Sequence, residues 1–197
     1  MRRSRVICVL MITLLLTACG PVGEEHGPLE QALALRGEYL ASEGCTAEME
    51  VTADYGQRVY TYTVAVTVFG GQTTLRVIAP EEVAGFTARL DGTQGSIEYD
   101  SAVLETGELS PDGLTPLSAV PALLEAARSG FIGGCTREML GERTALRVQC
   151  HDPAAEPGTG RETTLWFDAD SHVLLRGEIS LDGRRVITCE FLEFILS

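Results

Sequence analysis

The hydrophobic pattern changes period twice along this chain. Val6 to Leu16 is apolar apart from Thr13. From Leu29 to Glu43 the spacing is helical, and Leu29, Leu33, Arg36 and Leu40 fall on one face with Ala32 beside them. Pro28 suits the first turn of that helix and Gly44 is a good stop. The leucine face is expected to pack on something larger.

The period then falls to two. Glu48 to Ala53 alternates strictly, and Arg58 to Phe69 is the longest strand predicted. Tyr60, Tyr62, Val64, Val66 and Val68 share one face of it, with mostly Thr on the other. Gly70-Gly71 and Asp91-Gly92 are two-residue hairpin signals. They join strands at Thr73–Ala79, Phe86–Leu90 and Ser96–Tyr99. Ser110 to Gly113 breaks the pattern. A second helix is predicted from Pro116 or Ser118 to Arg128, with Leu117, Val120, Leu124 and Ala127 on one face and Pro121 in its first turn. Strands resume at Cys135–Leu140 and Ala145–Cys150. After a Pro/Gly loop over Asp152–Gly160, a meander follows over Thr163–Phe167, Val173–Leu181 and Arg185–Ile195. Nine or ten strands joined by short turns imply an antiparallel sheet. Its one-sided patterning implies a covered face, and the two helices are the natural cover. The fold class is α+β.

The first apolar run is too short to span a bilayer comfortably and follows Arg2, Arg3 and Arg5. It ends in Leu16-Thr17-Ala18-Cys19, which resembles the bacterial lipoprotein signal. That resemblance implies cleavage before Cys19 and a lipid on its thiol. Residues 1–18 are then a signal peptide, 19–27 a Gly/Pro/Glu-rich tether, and 28–197 a single domain. The expected location is the extracytoplasmic face of the cell membrane, with the lipid as anchor.

Charge narrows the partners. Without residues 1–18 the chain carries twelve Arg, no Lys and twenty-eight acidic residues, a charge of −16. Such a surface excludes non-specific nucleic-acid binding and electrostatic adhesion to anionic lipid. Four cysteines remain beyond Cys8 and Cys19, an even number that suits disulfides in an oxidising compartment. Without a C-x-x-C pair, zinc is the weaker reading. Four cysteines allow three connectivities. A hairpin centred near Glu142-Arg143 would make Cys135 and Cys150 cross-strand neighbours, leaving Cys45 to pair with Cys189.

Catalytic signatures are absent: no G-x-S-x-G, H-E-x-x-H, Walker A or G-x-G-x-x-G pattern occurs. His151 and Asp152 are sequence neighbours whose side chains would point apart on a strand. Asp168-x-Asp170 reads as a turn cap before it reads as a cation site. No catalytic residue, metal site or cofactor is expected. The Tyr60, Tyr62, Val64, Val66, Val68 stripe and Trp166 are the candidates for lining a ligand space, and they equally suit a packed core.

The run Leu165-Trp166-Phe167-Asp168-Ala169-Asp170-Ser171 through Asp182-Gly183 resembles the closing meander of the LolA/LolB-like lipoprotein-carrier superfamily. The order of lipobox, helix, meander, helix and meander is similar as well. Ser171 replaces the usual Thr, and Leu174-Leu175 stands where Pro is usual. The resemblance implies a half-open β-barrel, a strongly curved antiparallel sheet wrapped over two helices. Clostridial spore germination lipoproteins are similar to this superfamily. That likeness implies a non-enzymatic scaffold with a protein partner in the envelope, supporting a cell-wall or cortex-processing enzyme. The alternative is a lipid or lipoprotein carrier with an apolar cavity under the sheet.

Overall fold

A computed structural model describes residues 27–92, 94–108, 112–156 and 158–197. The signal segment, Cys19, the tether up to His26 and the break at Ser110 lie outside the described residues. Helix α1 spans Pro28–Ala41. Six strands follow: β1 (Gly44–Asp54), β2 (Val59–Phe69), β3 (Gln72–Ala79), β4 (Thr87–Asp91), β5 (Gln94–Tyr99) and β6 (Ala102–Glu108). Helix α2 covers Pro116–Ser129. Then come β7 (Ile132–Leu140), β8 (Arg143–His151), β9 (Arg161–Asp168), β10 (Leu174–Leu181) and β11 (Arg184–Leu196). The strand at Ala102–Glu108 had no sequence signal, because neither face of it is patterned for burial.

All eleven strands form one antiparallel sheet in the order β6-β5-β4-β3-β2-β1-β11-β10-β9-β8-β7. The first and last strands pair at its centre, and β6 and β7 are the two edges. Helix α2 joins those edges in sequence, so the chain must cross the concave side to connect them. Register shifts at Glu48/Met49, Thr63/Val64 and Ile179/Ser180 mark bulges. Bulges bend a strand and raise its local twist, which curves a sheet this wide. The result is the α+β half-barrel expected from the sequence.

The face of α1 differs from expectation. Ala32, Leu35 and Tyr39 are the buried residues. Leu29, Leu33 and Leu40 are 53 %, 53 % and 61 % exposed. The helix carries two apolar stripes, and the sheet takes the one that holds the aromatic ring. Tyr39 meets Phe167 edge-on at 5.3 Å and stacks on Phe194 at 6.0 Å. Its hydroxyl donates to the His172 carbonyl at 3.1 Å, so the buried polar atom is satisfied. Arg36 is turned away from the sheet towards α2.

Helix α2 starts on a reciprocal cap. The Thr115 hydroxyl accepts from the Ser118 N–H at 3.2 Å, and the Ser118 hydroxyl accepts from the Thr115 N–H at 3.4 Å. This cap sets the start at Pro116, so Pro121 lies inside the helix and not in its first turn. Each helix also closes the other's C-terminal end. Arg36 donates to the Gly130 carbonyl at 2.5 Å, and Arg128 donates to the Tyr39 carbonyl at 2.9 Å. Carbonyls at a helix C-terminus lack intrahelical partners and carry partial negative charge, which cations satisfy. Helix α1 packs on β7, β8 and α2; α2 packs on β1, β9, β10 and β11. The core lies between, with Leu35, Leu123, Leu165, Phe167, Ile179 and Ile187 fully buried.

Candidate functional site

The interior is not filled evenly. Where the first turn of α2 overhangs β2–β5, an apolar hollow of about 240 Å³ remains. Tyr62 and Val64 of β2, Leu75 and Val77 of β3, Ala88 of β4 and Ile97 of β5 form its floor. Pro116 and Leu117 cover it from above, and Phe86 closes one side. The Tyr62 hydroxyl is the only polar side-chain group among these lining residues, so the hollow suits hydrocarbon and offers nothing to a charged ligand. Its volume lies below the ~300–1,000 Å³ of ordinary ligand pockets.

The candidate stripe on β2 is therefore divided by what covers it. Val66 and Val68 are buried in the core. Tyr62 and Val64 line the hollow. Tyr60 is exposed beyond it and stacks on Tyr62 at 6.5 Å. The Tyr55 hydroxyl donates to the Leu114 carbonyl at 3.0 Å and ties this end of the β1–β2 hairpin to the approach of α2. Sequence reasoning missed Val77, Phe86, Ile97 and Leu117 as lining residues. Their period-two and helical signals were visible, but the pairing of β2 with β3 and the position of α2 were not.

Trp166 is not under the sheet. Leu165 and Phe167 face the core, so alternation sends Trp166 to the convex side. There its ring lies between the guanidinium groups of Arg147 at 5.7 Å and Arg176 at 5.4 Å. Its indole N–H donates to Glu138 at 2.6 Å. Arg176 continues to Glu190 at 2.9 Å and Glu178 at 2.5 Å, and Arg185 reaches Glu178 at 2.7 Å. Partial burial raises the Glu190 carboxyl above the usual carboxylate range, and Arg176 opposes that shift. The row Glu50, Glu190, Arg176, Trp166, Arg147 crosses five strands by their registers.

The two expected disulfides do not form; all four described cysteines are free. The β7–β8 turn centres on Gly141-Glu142, with Leu140 opposite Arg143. Cys135 consequently faces Val148, and Cys150 faces Ile132 across a bulge. Cys45 faces Leu196 while Cys189 faces Val51. Six residues of strand put the latter pair roughly 20 Å apart, where a disulfide needs Cα atoms within about 7 Å. Burial pushes the Cys45 thiol up to about 11 and the Cys189 thiol up to about 12. Burial also raises the Cys135 and Cys150 thiols, which contact the Pro28 carbonyl at 3.2 Å and the Ala126 carbonyl at 3.7 Å. Protonated thiols of this kind pack as small hydrophobes.

The remaining polar candidates serve local structure. His151 packs edge-on against Phe131 at 5.5 Å. His172 meets the Glu38 carboxylate at 2.9 Å. One oxygen of Asp168 accepts from the Ser171 N–H at 2.9 Å, the Ser171 hydroxyl at 3.0 Å and the Asp170 N–H at 3.1 Å. These bonds hold its pKa below the usual carboxylate value. Among the described residues, no group of three or more His, Cys, Asp or Glu is placed to hold a metal ion.

Several solved structures are similar to this chain along most of its length. A LolA superfamily protein from Nitrosomonas europaea is 13 % identical over 84 % of this chain and 93 % of its own, with a TM-score of 0.41. A domain described as an outer membrane lipoprotein-sorting protein from Vibrio parahaemolyticus is 10 % identical over 86 % and 92 %, with a TM-score of 0.48. The GerS lipoprotein complex with the CwlD amidase from Clostridioides difficile matches at 15 % identity over 86 % and 95 %, with a TM-score of 0.42. No protein-family profile and no curated protein matches the sequence. At these identities the likeness concerns the course of the chain, and residue roles rest on this chain alone.

Proposed function

We propose that this chain is a lipid-anchored, extracytoplasmic binding protein that acts by protein contact and not by catalysis. The observation that carries the reading is the filled interior. Under both helices the concave face is closed by Leu35, Tyr39, Leu123, Leu165 and Phe167, each less than 2 % exposed. Among the described residues, the apolar hollow of about 240 Å³ beneath the start of α2 is short of the room a whole lipid needs, and the larger one at the end of α2 is lined by Glu125, His151, Asp152 and Arg161 and does not suit hydrocarbon. Cys19, acylated in this proposal, supplies the anchor; among the described residues no helix is long and apolar enough to cross a membrane. A fixed anchor suits a local scaffold better than a diffusing shuttle. The proposed partner is an envelope enzyme that processes cell wall or cortex, with spore germination as the setting.

The test is purification from native membranes with the anchor intact, followed by mass spectrometry of everything retained. A diacylglycerol-modified Cys19 and one envelope hydrolase in fixed ratio are expected. Cys19→Ala should move the chain out of the membrane fraction. Recovery of a bound acyl chain with no enzyme would replace this reading by the second one. That second reading, a lipid or lipoprotein carrier or acceptor, is supported by the almost wholly apolar lining of the hollow.

A further inference from the structure

We propose that the outer stripe of α1 lies on the lipid surface itself, so that the domain is held in one orientation and does not swing freely on its anchor. This rests on acylation of Cys19. Leu29, Leu33 and Leu40 stand exposed in a line roughly 16 Å long, given the helical rise. They are exposed because the sheet has taken the other stripe of α1, so they are large apolar side chains that the fold itself leaves without cover.

Chain length identifies what covers them. Eight residues lie between Cys19 and Pro28, and the nine steps reach at most about 30 Å when fully extended. The first helix is therefore the described element nearest along the chain to the anchor, and its exposed leucines begin one residue after the helix starts.

The charge of the stripe decides the kind of contact. Arg36 is the only basic residue of α1, and its guanidinium is committed to the α2 carbonyls. Glu30 and Glu38 sit on the same helix. Within α1 no uncommitted cation accompanies the leucines, so the contact draws on apolar area at the headgroup boundary and not on attraction to anionic lipid. Salt should leave it unchanged, and a zwitterionic surface should hold it better than an anionic one.

The experiment uses the full acylated chain in phosphatidylcholine vesicles whose acyl chains carry bromine, which quenches nearby indoles. Leu33→Trp reports on the stripe and Thr61→Trp on the exposed convex face. Trp166 is the only native tryptophan and is common to both variants. Both sites are exposed, and circular dichroism checks that each variant keeps its fold. Bromine quenching of Leu33→Trp roughly twofold greater than that of Thr61→Trp is expected. Equal quenching of the two, in protein that floats with the vesicles, overturns the proposal while leaving the anchor intact. A blue-shifted Leu33→Trp without bromine quenching overturns it in favour of a protein surface, a second copy or the enzyme partner. Protein that fails to float removes the acylation reading, and the proposal with it.

Discussion

The two wings of the sheet are built from the same alternating pattern, yet they end in different states. In the wing formed by β1 and β7–β11, one or other helix packs on every strand. Leu165, Phe167, Leu174, Ile179 and Ile187 are each at most 1 % exposed. In the wing formed by β3–β6, neither helix provides comparable cover. Ile97 and Val77 are only partly buried, and Val103 and Leu104 stand open at the edge. The difference teaches that burial here is decided by the helices and not by the strands. Two helices of fourteen residues cannot shield eleven strands, so the cover stops at the first turn of α2. The hollow is where it stops.

That contrast can be broken by mutation, starting with the strongest effect. Phe167→Ala, in the covered wing, should cost about 3–5 kcal/mol in urea unfolding because its ring cannot be replaced by collapse around Tyr39. Gly177→Ala should cost about 1–3 kcal/mol, since a methyl there would sit 2.5 Å from Leu123 of α2. Combining it with Leu123→Ala should cost less than the two alone, and simple additivity would show that α2 does not press on β10. Ala88→Leu makes a larger enlargement in the open wing, three carbons where Gly177→Ala adds one. It should change stability by less than about 1 kcal/mol because the hollow accepts the added carbons. A cost as large as that of Gly177→Ala would mean the two wings are equally packed.

Thiol chemistry sharpens the same comparison. Under native conditions a maleimide should modify Cys135 first and leave Cys189 untouched, whereas unfolding without reductant should expose all four described thiols. Two thiols fewer in the unfolded chain would reveal a disulfide. The smallest effect belongs to the Asp168 turn. Its folded pKa is lowered, so its contribution is present above the unfolded carboxylate value near ~3.9 and is lost as pH falls through the folded value. Asp168→Asn should cost within about 1 kcal/mol at neutral pH. The difference from the parent should vanish in acid, as followed by thermal melts across pH.

Much of the strand order was readable because each turn announces itself. Gly70-Gly71, Asp91-Gly92, Gly141-Glu142 and Asp182-Gly183 all connect neighbours in the sheet. Register was harder. A centre displaced by one residue in the β7–β8 turn moved the partner of Cys135 from Cys150 to Val148. Between β1 and β11, which are far apart in sequence, no local signal relates Cys45 to Leu196. The site was half legible. Tyr62 and Val64 stood in the predicted stripe, but Phe86, Ile97 and Leu117 come to the hollow only through three separate pairings.

Local chemistry therefore determined most of the elements: where helices start and stop, which strands turn back, and a formal net charge of −13 that disfavours non-specific contact with polyanions. Alternation also determined that Trp166 must face away from Leu165 and Phe167. Tertiary structure decided which apolar residues are core. Leu33 and Leu35 are equally hydrophobic and lie two residues apart on one helix, yet one is buried and the other is not. Only the position of Tyr39 against Phe167 and Phe194 sets the rotation of α1. A periodic pattern states that a helix has an apolar face; when it has two, the choice belongs to whichever packs the larger ring.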